Sequence, residues 1–152
     1  MKLTIINQTQ QRIPRQYLTR LLRRLSRRLC SEGILQAVPA PIVVVVFLGP
    51  RRAQALNREF RGKDYATDVL SFAGDGRETF GELVFCPAVV KRQAHQQQMS
   101  FRDELGYLFI HGFLHLLGFT HEHGGKAARR MYELQDALFE DLCLAGETAK
   151  KR

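Results

Sequence analysis

The segment from Ser100 to His121 constrains this chain more than any other. Leu105, Leu108, Phe109, Ile110, Phe113, Leu114, Leu116 and Leu117 leave it almost no polar side. A helix from about Phe101 to Leu117 that is apolar on most faces has to be buried within the molecule, not laid on its surface. Ser100 is placed to cap its first turn, and Asp103, three residues on, is a weaker form of the capping-box glutamate. Two histidines, His111 and His115, sit four residues apart on this apolar helix. At that spacing side chains share a face about 6 Å apart, and each buried imidazole must find partners for both of its nitrogens.

Gly118 then offers the left-handed conformation that ends a helix and can return His121 to the same point. Three neutral nitrogen donors with a fourth position open make a catalytic zinc arrangement. His111, His115 and His121 are therefore the expected ligands of one metal ion, Zn²⁺ first, with Ni²⁺ and Fe²⁺ also compatible with imidazole. A structural site would need a fourth protein ligand. His123 is expected in a loop and His95 on a solvated helix face.

The remaining pattern predicts helices mixed with strands. Leu3, Ile5 and Ile6 form a first strand. Pro14 opens a helix on which Leu18, Leu21, Leu22, Leu25 and Leu29 share one face and arginines the other. The apolar stretch from Val38 to Leu48, interrupted by Pro39 and Pro41, contains a β-branched central strand from Ile42 to Leu48 and is far short of the ~20 residues that span a bilayer. A helix from Arg51 to Arg61 aligns Ala53, Leu56 and Phe60 and ends at Gly62. Val69–Phe72 and Phe80–Cys86 pair as a hairpin around Gly74-Asp75-Gly76. Pro87 starts another helix, and a last amphipathic helix runs from Lys126 to Leu144, with Lys150, Lys151 and Arg152 frayed beyond it. The expected class is α+β, a four-stranded sheet covered by about five helices, in one domain over residues 1–152. At that length roughly 70% of the unfolded surface can be buried.

Charge is distributed unevenly. Lys2 and Arg12, Arg15, Arg20, Arg23, Arg24, Arg27 and Arg28 precede any acidic residue, and beyond Ser31 the two signs balance, so the net +8 is an N-terminal excess. Such a face either keeps the protein soluble or is the footprint of a polyanion such as RNA, with Arg20, Arg24 and Arg27 as candidate contacts. A transit peptide is also arginine-rich, but the β-rich run at Leu3 suits a folded strand better, and no apolar core of a secretory signal follows the start. Cys30, Cys86 and Cys143 form neither a disulfide framework nor a paired metal motif, which points to a reducing, cytoplasmic setting without membrane attachment.

The spacing H-x-x-x-H-x-x-G-x-x-H is zincin-like and shared with metzincin proteases, so a zinc metalloprotease is the main alternative. Those enzymes place a general-base Glu directly after the first His. This chain has Gly112 there, and only Glu122 or Glu104 could substitute.

With these residues in view, the chain resembles the YbeY family of bacterial endoribonucleases. The likeness is carried by Phe60-Arg61-Gly62-Lys63-Asp64, Thr67-Asp68-Val69-Leu70-Ser71-Phe72, Gly81-Glu82-Leu83-Val84, the histidine motif and Met131-Tyr132-Glu133-Leu134-Gln135. It implies a mixed four-stranded sheet, zinc on the three histidines and cleavage of single-stranded RNA. It further implies work on the 3′ end of 16S rRNA and in ribosome quality control, with the small ribosomal subunit and its assembly factors as partners. It also puts Arg61 in the active-site cleft, where a guanidinium fork suits a phosphate and its transition-state charge.

The family usually has Asp before the third His, where this chain has Thr120, a hydroxyl without charge. Asp68 and Ser71 are further candidates for the cleft lining, although Asp68 equally suits a turn before the strand. Two nucleophiles fit, water activated at the ion or the RNA 2′-hydroxyl. A non-catalytic ribosome assembly factor braced by zinc is the third reading.

Overall fold

The computed structural model describes residues 1–37 and 40–144; the Val38-Pro39 pair and the Lys150–Arg152 tail lie outside the described residues. In chain order the elements are β1 (Lys2–Asn7), α1 (Arg15–Ser31), β2 (Ile42–Phe47), α2 (Pro50–Arg61), β3 (Val69–Ala73), β4 (Thr79–Phe85), α3 (Pro87–Gln96), α4 (Phe101–Leu116) and α5 (Gly125–Phe139). The chain continues from α5 into a π-helical turn, Glu140–Leu144. The sequence pattern predicts one uninterrupted helix through this region; the widened turn keeps Leu142 and Cys143 buried.

The sheet order is β1-β2-β4-β3. β1 and β4 both run parallel to β2, and β3 is antiparallel to β4. Parallel neighbours need a long crossover, and α1 supplies it between β1 and β2. The β3–β4 pair needs only a tight turn, in which the Asp75 carboxylate accepts from the backbone N–H groups of Arg77, Glu78 and Thr79. The sheet is therefore mixed, with the β-branched run Ile42–Val46 on β2, one of its two inner strands.

Alternation along the strands divides the core. Val43, Val45, Phe47, Leu83 and Phe85 pack in the main cluster with the leucines of α1 and the apolar residues of α4. On the opposite face Leu48, Leu70 and Val84 pack with Leu56 and Phe72. Helix α4 touches α3, α5, β3 and β4, which accounts for its lack of a polar side. Its cap is as expected, with Asp103 N donating to Ser100 Oγ at 3.0 Å.

The alignment of Ala53, Leu56 and Phe60 along α2 only partly describes that helix. Ala53 is buried, but Phe60 is 59% exposed and the fully buried residue is the polar Asn57. Asn57 Nδ2 donates to the Tyr65 carbonyl at 2.8 Å, and Gly62 ends the helix in the left-handed region at φ 69°. Together these fix the path of the chain just after Arg61.

Candidate metal centre

His111 and His115 project from the same face of α4, and the turn after that helix brings in His121. Gly118 adopts φ 94°, and Phe119 N donates to the Leu114 carbonyl at 3.1 Å, the six-to-one bond of a Schellman turn. The turn does two things. It carries His121 back, so that its ring centroid lies 5.1 Å from His111 and 5.0 Å from His115. It also aims the Phe119 carbonyl at His115 Nδ1, 2.9 Å away.

The other fixed imidazole is His111, whose Nδ1 lies 2.8 Å from Gln135 Oε1 on α5. With an oxygen facing each Nδ1, the tautomer that makes both hydrogen bonds has the proton on Nδ1 and leaves the Nε2 lone pairs for a ligand. Those two Nε2 atoms lie 3.0 Å apart, a repulsive arrangement that a shared cation between them relieves. One ligand atom from each of the three histidines falls within 4.8 Å of the others. The residues thus fit a metal ion on three counts: donor type, tautomer and convergence. Burial, the largest influence on each ring, pushes the pKa of His111 and of His115 below the ordinary 6.5. Each is thereby kept in the neutral form that ligation requires.

The histidines open onto a cleft of about 1200 Å³. Arg61, Asp68 and Ser71 also line it. Arg61 Nη2 lies 3.5 Å from Glu122 Oε1, a pair exposed to solvent on both sides. Asp68 combines both expected roles: its Oδ1 accepts from Val69 N at 2.7 Å, turning the chain into β3, while the residue borders the cleft. Ser71 Oγ donates to the Gly112 carbonyl at 3.2 Å and so ties β3 to α4. Thr120 Oγ1 accepts from Glu122 N at 3.4 Å, at the start of the loop holding His121 and Glu122.

Gly112 is buried, and a Cβ built there would meet Leu83 Cδ2 at 2.9 Å and Ser71 Oγ at 3.2 Å. The position that carries the protease base therefore faces the sheet here, with no room for a carboxylate. His123 and His95 are exposed, as expected. Arg20, Arg24 and Arg27 all lie on the exposed face of α1; Arg24 Nη1 donates to the Leu142 carbonyl at 2.9 Å.

Sequence reasoning missed Gln135. Its side chain is fully buried, and its sequence signals are its place at the end of the Met131–Gln135 run that carries the family resemblance and an amide four residues after Met131 on the inward face of an amphipathic helix. It also left Glu104 as a remote candidate. That carboxyl is 5% exposed, lines the far end of the cleft and is raised above its ordinary 4.5 by burial and then by the charge of Asp68.

These features define an α+β protein with a zincin-like three-histidine centre on a buried helix, set beside an arginine-lined cleft. The chain belongs to the Endoribonuclease YbeY family, whose model matches residues 4–143. It is 41% identical to the endoribonuclease YbeY of Bdellovibrio bacteriovorus, over 93% of this chain and 95% of that protein. Against the endoribonuclease YbeY of Thermotoga neapolitana the identity is 36% over 80% of each chain. The solution structure of TM1509 from Thermotoga maritima superposes with a TM-score of 0.65 at 28% identity, covering 97% of this chain and 93% of that one. No helix among the described residues is long and apolar enough to cross a membrane.

Proposed function

We propose that this protein is a metal-dependent endoribonuclease that cuts single-stranded RNA, with zinc as the ion and His111, His115 and His121 as its ligands. Its cellular task on this reading is maturation of the 16S rRNA 3′ end and ribosome quality control in the cytoplasm, alongside the small ribosomal subunit and its assembly factors. The observation that carries the proposal is the pair of bare Nε2 atoms 3.0 Å apart, in one cleft with Arg61.

When bound, the ion supplies Lewis acidity to a phosphoryl oxygen. The chain's own residues do the rest. Gln135 Oε1 and the Phe119 carbonyl hold two imidazoles in one tautomer and orientation. Arg61 exchanges its exposed partner Glu122 for the RNA phosphate, which it grips with two parallel N–H donors, and it stabilises the charge that grows on the phosphate oxygens. Peptide hydrolysis lacks this support, because the base position is Gly112, packed against Leu83 and Ser71. A purely bracing metal would call for a fourth protein ligand, and the three histidines are the only such donor group among the described residues.

The test is cleavage of a fluorescent single-stranded RNA and of its duplex by protein purified from a ribonuclease-deficient host, beside His115→Ala prepared identically. The expected result is cleavage of the single strand alone, abolished by chelation and absent from the variant. Equal cleavage by parent and variant would show a contaminating nuclease and remove the proposal's basis.

A further inference from the structure

The cleft has two unlike ends. Helix α5 runs antiparallel along α4, since His111 meets Gln135 and Tyr107 Oη donates to Asp136 Oδ1 at 3.1 Å one turn earlier. Position along α4 therefore orders the lining. Toward the N-terminus of α4 come Glu104, Asp136 and Glu140, with Asp68 near enough to Glu104 to raise its pKa. Toward the C-terminus come the histidines, Arg61 with its exposed partner Glu122, and the rings of Phe60 and Phe72. A polyanion is repelled by the carboxyl end and received at the arginine end.

At that receiving end an aromatic face is left uncovered. Phe60 is 59% exposed although Ala53 and Leu56, the apolar positions in line with it on α2, are buried or partly buried. Its ring is not loose: it stands edge-on to Phe72 at 5.1 Å, and Phe72 packs on the Leu48, Leu70 and Val84 cluster. Phe60 directly precedes Arg61, at the C-terminal end of α2, where Asn57 and Gly62 fix the backbone. An exposed ring, braced from below and next to a phosphate-binding guanidinium, has the parts of a single-strand platform: a flat apolar face for a base and a cation for its backbone.

We propose that Phe60, backed by Phe72, is a nucleobase subsite on which the unpaired base next to the Arg61-held phosphate stacks. The proposal rests on the ribonuclease reading above and deepens it, because it gives a reason for the single-strand preference. A base inside a duplex has both faces covered by its neighbours and cannot offer one to the ring. Stacking of this kind tolerates any base, so the subsite selects for strandedness and not for sequence.

The experiment measures binding apart from cleavage. Single-stranded RNA hexamers carrying 2-aminopurine at successive positions are titrated with metal-loaded parent, Phe60→Ala and Phe60→Tyr, and the same hexamers are made with one abasic site. One position should show strong fluorescence quenching with the parent and with Phe60→Tyr. Phe60→Ala should bind intact RNA about tenfold more weakly, within the range that one stacked base contributes. With the base removed at the quenched position, parent and Phe60→Ala should bind equally. Equal affinity of parent and Phe60→Ala for intact RNA, or the same loss wherever the abasic site is placed, overturns the inference, as does a parent that binds no hexamer. Cleavage of the same hexamers is followed separately, so a parent that stacks a base but never cuts contradicts the ribonuclease reading and leaves the subsite standing.

Discussion

Helices α1 and α4 both carry basic or titratable residues at helical spacing, and the fold treats the two sets differently. On α4 the imidazoles of His111 and His115 are half-buried, and each Nδ1 is engaged by an oxygen brought from elsewhere, Gln135 of α5 or the Phe119 carbonyl of the following turn. On α1 the arginines stand in solvent. Arg28 pairs with Glu32 and Asp141, Arg24 meets one carbonyl, and Arg20 and Arg27 have no partner among the described residues. A side chain whose orientation is enforced by a second group is committed to one geometry. A side chain in water adapts to whatever charge approaches, and its contribution there is small and screened by salt.

The largest effect should come from the cleft. Arg61→Ala is expected to keep fold and metal content and to lose RNA cleavage by about 10²- to 10³-fold, the scale of removing one transition-state donor. Arg61→Lys should also be impaired, because an ammonium lacks the fork. Single-turnover rates beside elemental analysis check this, and a parent-like rate in the Ala variant would take Arg61 out of the chemistry.

Gln135→Leu tests the enforced side of the comparison without touching a ligand. Losing the acceptor for His111 Nδ1–H should weaken metal affinity about 10- to 100-fold, as removal of such supporting contacts does. Competition with a chelator of known affinity measures it. Unchanged affinity would mean that the tautomer of His111 needs no support.

The exposed side is tested by changing Arg20, Arg24 and Arg27 together to Gln. If all three meet phosphate, the slope of log K against log salt for single-stranded RNA should flatten by up to about 2. Because Arg24 already serves the Leu142 carbonyl, a flattening nearer 1.4, about two phosphates, is expected. Identical slopes for parent and variant would make this face a solubility device.

The smallest effect concerns Glu104. Its carboxyl is raised above 4.5 by burial and by Asp68, so the folded state holds the proton more firmly than the unfolded state. The stability contributed by this group is then fully present below 4.5 and is lost as pH rises through the raised value. Glu104→Gln should therefore exceed the parent in urea midpoint at neutral pH, the gap closing toward pH 4.5. Equal midpoints at pH 7 would show that this carboxylate carries no burial penalty.

How much of this was legible in the sequence follows the same division. The three histidines are local to one helix and its terminating glycine, so spacing alone brings them together, and the left-handed Gly118 is the turn that spacing requires. The β-branched run of β2 and the hairpin at Gly74-Asp75-Gly76 were local in the same sense. Gln135 was not legible, because its meaning depends on how α5 docks on α4, 24 residues away. Phe60 reads as a core residue by its period, and only the tertiary structure shows it exposed against Phe72 and lining the cleft. The pairing of Arg61 with Glu122 across 61 residues, and the insertion of β4 between β2 and β3, were likewise set by tertiary contacts.

The central claim is that three imidazoles, two of them held in one tautomer by oxygen partners, hold one ion and leave a position open. X-ray absorption of the zinc-loaded protein tests it most directly. Three nitrogen scatterers at about 2.0–2.1 Å with the multiple-scattering signature of imidazole, plus one further light atom, are expected. A sulfur shell near 2.3 Å, or fewer than three imidazoles, would contradict it.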